Sequence, residues 1–514
     1  MSFFNQQEQA LIIGQSATFI ERATDSRYQP ISSQSSEKIE QILSQWRKAL
    51  GTHNQDALHK RLAWDNFTED EARQLLGDMV WNGPVNECRW MSILDNYLTE
   101  LSLECKPLID DYLMIELGND PVPFQHIFYP IVNRAMRELS DKVDFIWSRL
   151  SDKAQAKLAY SLSKKLGSLS EFVFFATFDQ FRIQAKDAKL PEQNGDAIYQ
   201  SFIDYLLDDG LHQIFLNYPV LAKFWGQSIE IWQESYAEFL QRLEIDWDDI
   251  TKKFGGCHCV TDFRLELSDP HNRGRTVHIL TIDDQTRVVY KPKPIAIDAA
   301  YFAIVDWIEE QGFPLDFKKW QVIARTEYGW VEFIEQKPCG TIGDVKQYYQ
   351  RAGTLLCLWY VLGGSDGHHE NVIVHGEYPV LFDLETLMAP LPKEMGKNGL
   401  SEFHNLSFDT VITTGLLPSQ NLDTKNDLSG LGLMKTGKTK MPGWKNINQD
   451  TMKRTILEKE TTLGTNVVQL HDEIQPSSKY VAEICWGFEQ MYHFLVDNRQ
   501  QLIQTELLFM ITME

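Results

Sequence analysis

The chain has 514 residues, 43% hydrophobic and 24% charged, a globular, soluble composition with length for roughly two to four domains and a large core. Against 49 Lys+Arg stand 72 Asp+Glu, a formal net charge of −23, which argues against nucleic acid as the principal partner, because a phosphate backbone needs a basic surface. Seven cysteines, at 88, 105, 257, 259, 339, 357 and 485, form neither an even disulfide framework nor paired C-x-x-C spacing. The N-terminus lacks the basic and then apolar segments of a secretory signal. The longest apolar stretch, around Leu355 to Leu362, falls far short of the roughly 20 residues that span a bilayer. Reduced thiols, no transmembrane segment and a cytoplasmic location are expected.

Residues 1 to about 245 are predicted to be mostly helical. Apolar residues recur at three- and four-residue intervals over Glu37 to Leu50, Tyr97 to Glu104, Phe124 to Arg149, Asp152 to Leu166 and Gln227 to Leu243, with polar faces between them. Pro121-Val-Pro-Phe124 is a helix-start signal, and Pro130 is expected to kink or restart the helix that follows. A scaffold or recognition role suits this half better than a catalytic one.

The character changes near residue 254. Phe263 to Leu267, Thr276 to Ile282 and Arg287 to Tyr290 are short β-rich runs, with Asp283 to Thr286 as the hairpin turn between the last two. Helix is predicted over Asp298 to Glu310 and Val345 to Leu362, and strand over Tyr328 to Phe333. The third strand of this meander ends in Lys291, and Ser268 to Arg275 occupies the place of a phosphate-covering loop.

Three segments then fall in a telling order. Lys291 closes an apolar strand, Asp366 is followed five positions later by Asn371, and Asp383-x-Glu385 comes behind the apolar run Tyr378 to Phe382. A phosphoryl-transfer site of the protein-kinase kind needs a strand lysine against the nucleotide phosphates. It also needs a loop aspartate to take the proton of the attacking hydroxyl, with an asparagine five residues on and a later aspartate for magnesium. On this reading Lys291 holds phosphate, Asp366 is the base, and Asn371, Asp383 and Glu385 hold Mg2+. His368 lies in the Asp366 loop and is read as catalytic in that company. Lys293, two residues on from Lys291, points to the same strand face and competes for the phosphate role.

The same residues carry a resemblance. Ser268-Asp-Pro-His271 with Gly274-Arg-Thr-Val277, Tyr290-Lys-Pro, Tyr328-Gly-Trp-Val-Glu332, Gly364-Ser-Asp-Gly-His-His-Glu-Asn371 and Asp383-Leu-Glu-Thr386 resemble the dehydratase domain of class II lanthipeptide synthetases, the LanM type. Pro123-Phe124 with Pro130 resembles that family's helical N-terminal region. The resemblance implies an α+β fold: a helical region over 1–245, then a protein- or lipid-kinase-like, two-lobed core over 246–514. The lobes would fall at about 254–340 and 341–514. It implies ATP- and Mg2+-dependent phosphorylation of Ser and Thr in a leader-bearing precursor peptide, followed by β-elimination of the phosphate in the same cleft. Lys291, Asp366, His368, Asn371 and Asp383, with Glu385 alongside, match the family's phosphorylation residues. Asp269 and His271 match residues used for elimination.

Two departures shape the expectation. The chain stops at Glu514, ahead of the zinc-dependent cyclase domain of full-length members, and after Arg499 it has no arginine to complete a late Arg-x-x-x-Arg-x-Thr-like segment. Thr512 is not credited as that segment's threonine. The C-terminal lobe is therefore expected to be incomplete, with elimination more affected than phosphorylation, and a separate cyclase or remainder chain becomes an expected partner. Cys257-His-Cys259 is too compact for a zinc set, so no zinc is expected. The alternatives are a chain that only phosphorylates or only binds precursor peptide, and a kinase-like small-molecule phosphotransferase with no need of Asp269 and His271.

Overall fold

The computed structural model describes residues 2–31, 36–51, 56–99, 101, 119–187, 195–388, 410–418, 427–433 and 436–508. The helical segments of the first half form: Ser36–Ala49 matches its predicted span to within one residue, while Asp152–Asp187 and Pro219–Phe254 run further than their periodicity predicts. Pro219 opens the last of these, and Gly255, at φ 98°, ends it, a backbone that suits glycine. It runs straight through the 245/246 position and stops where the composition changes. Pro130 falls in the first turn of the helix Tyr129–Ser140, where its missing N–H costs nothing, so it starts that helix without kinking one. The run predicted to Arg149 breaks after Ser140 and resumes as the short helix Asp144–Trp147. The segment Tyr97 to Glu104 begins in the helix Arg89–Thr99, whereas positions 100 and 102–104 lie outside the described residues, as does Thr512. A short strand pair, β1 (Tyr28–Pro30) with β2 (Met79–Trp81), sits among these helices.

Five strands follow: β3 (Val260–Arg264), β4 (His278–Ile282), β5 (Thr286–Lys291), β6 (Val322–Ala324) and β7 (Gly329–Glu332). They form one antiparallel sheet in the order β3-β4-β5-β7-β6. β3 lies earlier than the predicted Phe263 to Leu267 because Glu266 adopts φ 57° and turns the chain away. The β4–β5 turn is the predicted one: Asp283 and Asp284 have φ of 51° and 59°, the left-handed pair that matches strand twist. The Asp283 carboxylate accepts the backbone N–H groups of Cys257, His258 and Cys259, so these three residues form a capped strand edge. The sheet shares its core with the helical half, Phe239, Leu243, Trp247 and Ile250 of Pro219–Phe254 packing with Phe263, Leu280, Val288 and Trp330.

A second core joins the helix Ala296–Glu310, which connects β5 to β6, to the helices Ile342–Val361 and Val481–Asp497. The apolar run around Leu355 is the buried face of Ile342–Val361. That helix and Val481–Asp497 approach closely at glycines on both sides. A Cβ on Gly353 would lie 1.9 Å from the Ile484 carbonyl oxygen, and one on Gly487 1.8 Å from that of Gln350. The hairpin β8 (Val372–His375) and β9 (Tyr378–Leu381) completes the region. The ribbon β10 (Gly437–Lys445) with β11 (Lys453–Thr461) has no counterpart in the sequence reading. Its turn docks on the helical half, Asn448 Oδ1 accepting the Phe124 N–H at 2.7 Å and Asp450 Oδ1 that of Tyr199 at 2.7 Å. The mixed helix-and-sheet architecture is α+β. Among the described residues no helix is long and apolar enough to cross a membrane.

Candidate active site

Lys291 ends β5 with its side chain drawn inside the protein. It is 7% exposed, and a charge so placed needs partners. Nζ donates to the Phe382 carbonyl at 2.8 Å and stands 3.8 Å from Asp298 Oδ1. Asp298 lies in the first turn of Ala296–Glu310 and is 2% exposed. Burial pushes its pKa above the usual carboxylate range, while Lys291 and Lys293 draw it back down.

The Asp366 loop follows the helix Ile342–Val361 and is fixed by its backbone. Gly367 N–H donates to Thr414 O at 2.8 Å, His369 N–H to Leu428 O at 2.9 Å, and Ser365 N–H to Thr386 Oγ1 at 3.2 Å. Asn371 Nδ2 donates to Asp366 twice, to its carbonyl at 2.9 Å and to Oδ2 at 3.1 Å. With the amide hydrogens committed to the loop, Oδ1 is left as a free acceptor among the described residues. The β8–β9 register pairs Val372 with Leu381, and Phe382 N–H then donates to Asn371 O at 3.3 Å. Asn371 and Asp383, well apart in sequence, are thereby set side by side at the open end of one hairpin. Because Phe382 also receives Lys291, all three predicted segments meet at that one residue.

Lys293 has different partners from Lys291. Its ammonium donates to Asp383 Oδ1 at 3.0 Å and Glu385 Oε2 at 2.6 Å. Burial opposes its charge, but the two carboxylates hold its pKa above the ordinary lysine value. Asp383, Glu385 and the Asn371 amide oxygen are hard oxygen donors of the kind magnesium takes, and two of them already grip a cation in this structure. His368 is half-buried, with Nε2 3.7 Å from Glu370 Oε2, while its Nδ1 is buried without a hydrogen-bond partner among the described residues.

Asp269 and His271 stand apart from this cluster. Their loop joins β3 to β4, and since His278 pairs with Tyr290 it lies at the same end of the sheet as Lys291. Asn272, Arg273 and Gly274 all have positive φ. The loop is pinned to the helix Pro219–Phe254 by Arg273 to Glu234 at 3.0 Å and Arg275 Nε to Glu238 at 2.9 Å. A Cβ on Gly274 would fall 2.3 Å from Ile231 Cγ2. Both Asp269 and His271 are exposed, and neither side chain has a hydrogen-bonded or ionic partner among the described residues.

Two features escaped the sequence reading. Asp298 was passed over as an ordinary first-turn helix residue, although an acid one helical turn into the element after a strand lysine is the signal for such a pair. Thr386 Oγ1, which receives the Ser365 N–H, gave no signal beyond its place next to Glu385.

Residues 218–512, more than half of the chain, match the family model described as a domain of unknown function, DUF4135. Over 304 residues the chain is 26% identical to the lacticin 481/lactococcin biosynthesis protein LcnDR2 of Lactococcus lactis subsp. lactis. That alignment takes in 56% of this chain and 33% of the relative, so the chain matches only about a third of that protein's length. By the matched domain the chain belongs to the DUF4135 family, and its similarity to this biosynthesis protein supports a relation to the class II lanthipeptide synthetases of the LanM type.

Proposed function

We propose that the chain phosphorylates Ser and Thr side chains of a leader-bearing precursor peptide, with ATP as donor, and then removes the phosphate by β-elimination. The convergence of Lys291, Asn371 and Asp383 at Phe382, with Asp366 bonded to Asn371, is the observation that carries this reading. A five-stranded antiparallel sheet with a helix after its lysine strand supports the kinase-like view of the core. The relative's printed role in lacticin 481 and lactococcin biosynthesis supports a peptide as the acceptor.

Each residue's part follows from its surroundings. Lys291, aligned by Asp298 and the Phe382 carbonyl, presents a fixed positive charge to phosphate oxygens. Asp366 accepts the proton of the attacking hydroxyl, and Asn371 holds its carboxylate in position. Asn371 Oδ1, Asp383 and Glu385 would hold magnesium, which when bound supplies charge neutralisation at the phosphates. His368 stands in the same loop as a further proton-carrying group. In elimination the α-proton leaves to a base, the Cβ–O bond breaks and phosphate departs. Asp269 and His271, free of other partners at the same end of the sheet, are the groups proposed to serve that step.

The test is mass spectrometry of a Ser/Thr/Cys-containing precursor peptide after incubation with the chain, ATP and Mg2+. Loss of water supports the whole reading, and gain of phosphate alone limits the chain to the first step. An unchanged peptide, with ATP consumed on a small-molecule acceptor, would move the reading to a phosphotransferase of another class.

A further inference from the structure

Lys293 is the group that the proposed roles leave unexplained. It is one of two lysines on the chain leaving β5, yet the two have opposite settings. Lys291 is pinned by a backbone carbonyl and a buried carboxylate. Lys293 is about one-third exposed and grips Asp383 and Glu385, the acidic pair assigned to metal, at 3.0 and 2.6 Å.

We infer that Lys293 is a resident cation of the metal site: its ammonium neutralises Asp383 and Glu385 and must yield them when a divalent cation enters. This rests on the reading of Asp383 and Glu385 as metal-binding carboxylates. Two carboxylates brought together repel each other, and a cation between them relieves that repulsion. An ammonium hydrogen-bonded to both oxygens and a dication ligated by them cannot share the same lone pairs, so the two compete. The lysine suits such an exchange: a compact charge on a flexible stem withdraws without disturbing the strand. The ion pair of Asp298 is with Lys291, whose Nζ also donates to the Phe382 carbonyl, so that lysine stays in place while the second ammonium leaves. Lys293 thus sets the threshold at which metal enters.

The experiment is Mn2+ binding to the nucleotide-free chain, followed by electron paramagnetic resonance of the unbound ion, for wild type, Lys293→Met, Lys293→Arg, Lys291→Met and Asp383→Asn. Removal of a like charge a few ångströms from the ion is expected to tighten Mn2+ binding at least about tenfold in Lys293→Met. Lys293→Arg keeps the cation and should stay near wild type, and Lys291→Met should move Mn2+ affinity far less than Lys293→Met does. Equal or weaker Mn2+ binding by a folded Lys293→Met overturns the inference. If Lys293→Met fails to fold, Lys293→Gln takes its place under the same criterion. The two readings fail separately: Asp383→Asn that binds Mn2+ as wild type does sinks the metal assignment itself, whereas loss in Asp383→Asn without gain in Lys293→Met sinks only the competition.

Discussion

The seam of Lys291, Asp298, Asn371 and Asp383 and the loop of Asp269 and His271 are built on opposite principles. The seam is held before anything binds: a buried ammonium paired with a buried carboxylate, an amide with its donors committed, and a hairpin that sets Asn371 beside Asp383. In the loop the backbone is fixed, by three consecutive positive-φ residues and ion pairs to one helix, while the two side chains of interest stand in solvent. Groups that must meet a developing charge at a set place gain from being held before the substrate arrives. Groups that act as acid and base on a peptide need reach, and tolerate freedom until the peptide supplies their partners. If this contrast is right, substitutions at the seam's buried ammonium and carboxylate damage both chemistry and stability, and substitutions in the loop damage chemistry alone.

The largest effect is expected at Asp366. Asp366→Asn keeps the side chain's shape but cannot take the hydroxyl proton, and phosphorylation of precursor peptide should fall by about 10²–10⁴-fold. Single-turnover assays with mass detection measure it. Because Asn371 also donates to the Asp366 backbone carbonyl, the loop should persist and the melting temperature should change little. A large drop in melting temperature would show that the carboxylate is structural.

Lys291 should register in both quantities. Lys291→Met removes the phosphate-facing charge, for a loss of about 10²–10³-fold in phosphoryl transfer, and strands Asp298 in the interior, at a cost on the order of 3 kcal/mol. Adding Asp298→Asn to that variant should recover stability without recovering activity, a double-mutant cycle read by urea unfolding and by turnover. An additive cycle would break the pairing.

Much of this seam was readable from sequence because its signal is spacing. A strand lysine, an aspartate with an asparagine five residues on and a later aspartate keep their order whatever the packing, and the apolar run between Asn371 and Asp383 announced the connecting strand. What could not be read was which groups face each other. Lys291 and Lys293 share a strand face on paper, but Pro292 and the chain's departure after β5 separate them, so one turns to Asp298 and the other to Asp383 and Glu385. The ribbon β10–β11 was invisible for a related reason: its nine-residue strands are largely exposed, so no apolar alternation marks them. The helical half was legible as helix, yet periodicity gave no sign that Pro219–Phe254 shares a core with the sheet, through Phe239 and Leu243 and, past residue 245, through Trp247 and Ile250.

In the loop, Asp269→Asn and His271→Ala should leave stability within about 0.5 kcal/mol, as exposed positions do. Phosphorylation should stay near wild type while elimination falls by about 10²-fold, so that phosphopeptide accumulates in the mass spectrum. Equal loss of both steps would abolish the distinction between seam and loop.

The smallest effect is expected at the loop's anchor. Arg275 and Arg242 both pair with Glu238; burial tends to raise the Glu238 pKa, but the two arginines outweigh it and hold the value below the ordinary 4.5. A carboxylate depressed in the folded state contributes stability that is complete above its unfolded pKa and is lost as pH falls through the folded one. The anchor should therefore be intact at neutral pH and should weaken only below about pH 4.5. Arg275→Ala removes a partly exposed pair worth about 0.2–1 kcal/mol, so its melting temperature should fall slightly at pH 7 and lose part of its dependence on pH in the acid range. Elimination should slow by a few-fold at most, and added salt should produce a similar slowing in wild type. A pH profile of Arg275→Ala superimposable on wild type would mean that the positive-φ turn and the close seat of Gly274 on Ile231, not the ion pair, hold the loop in place.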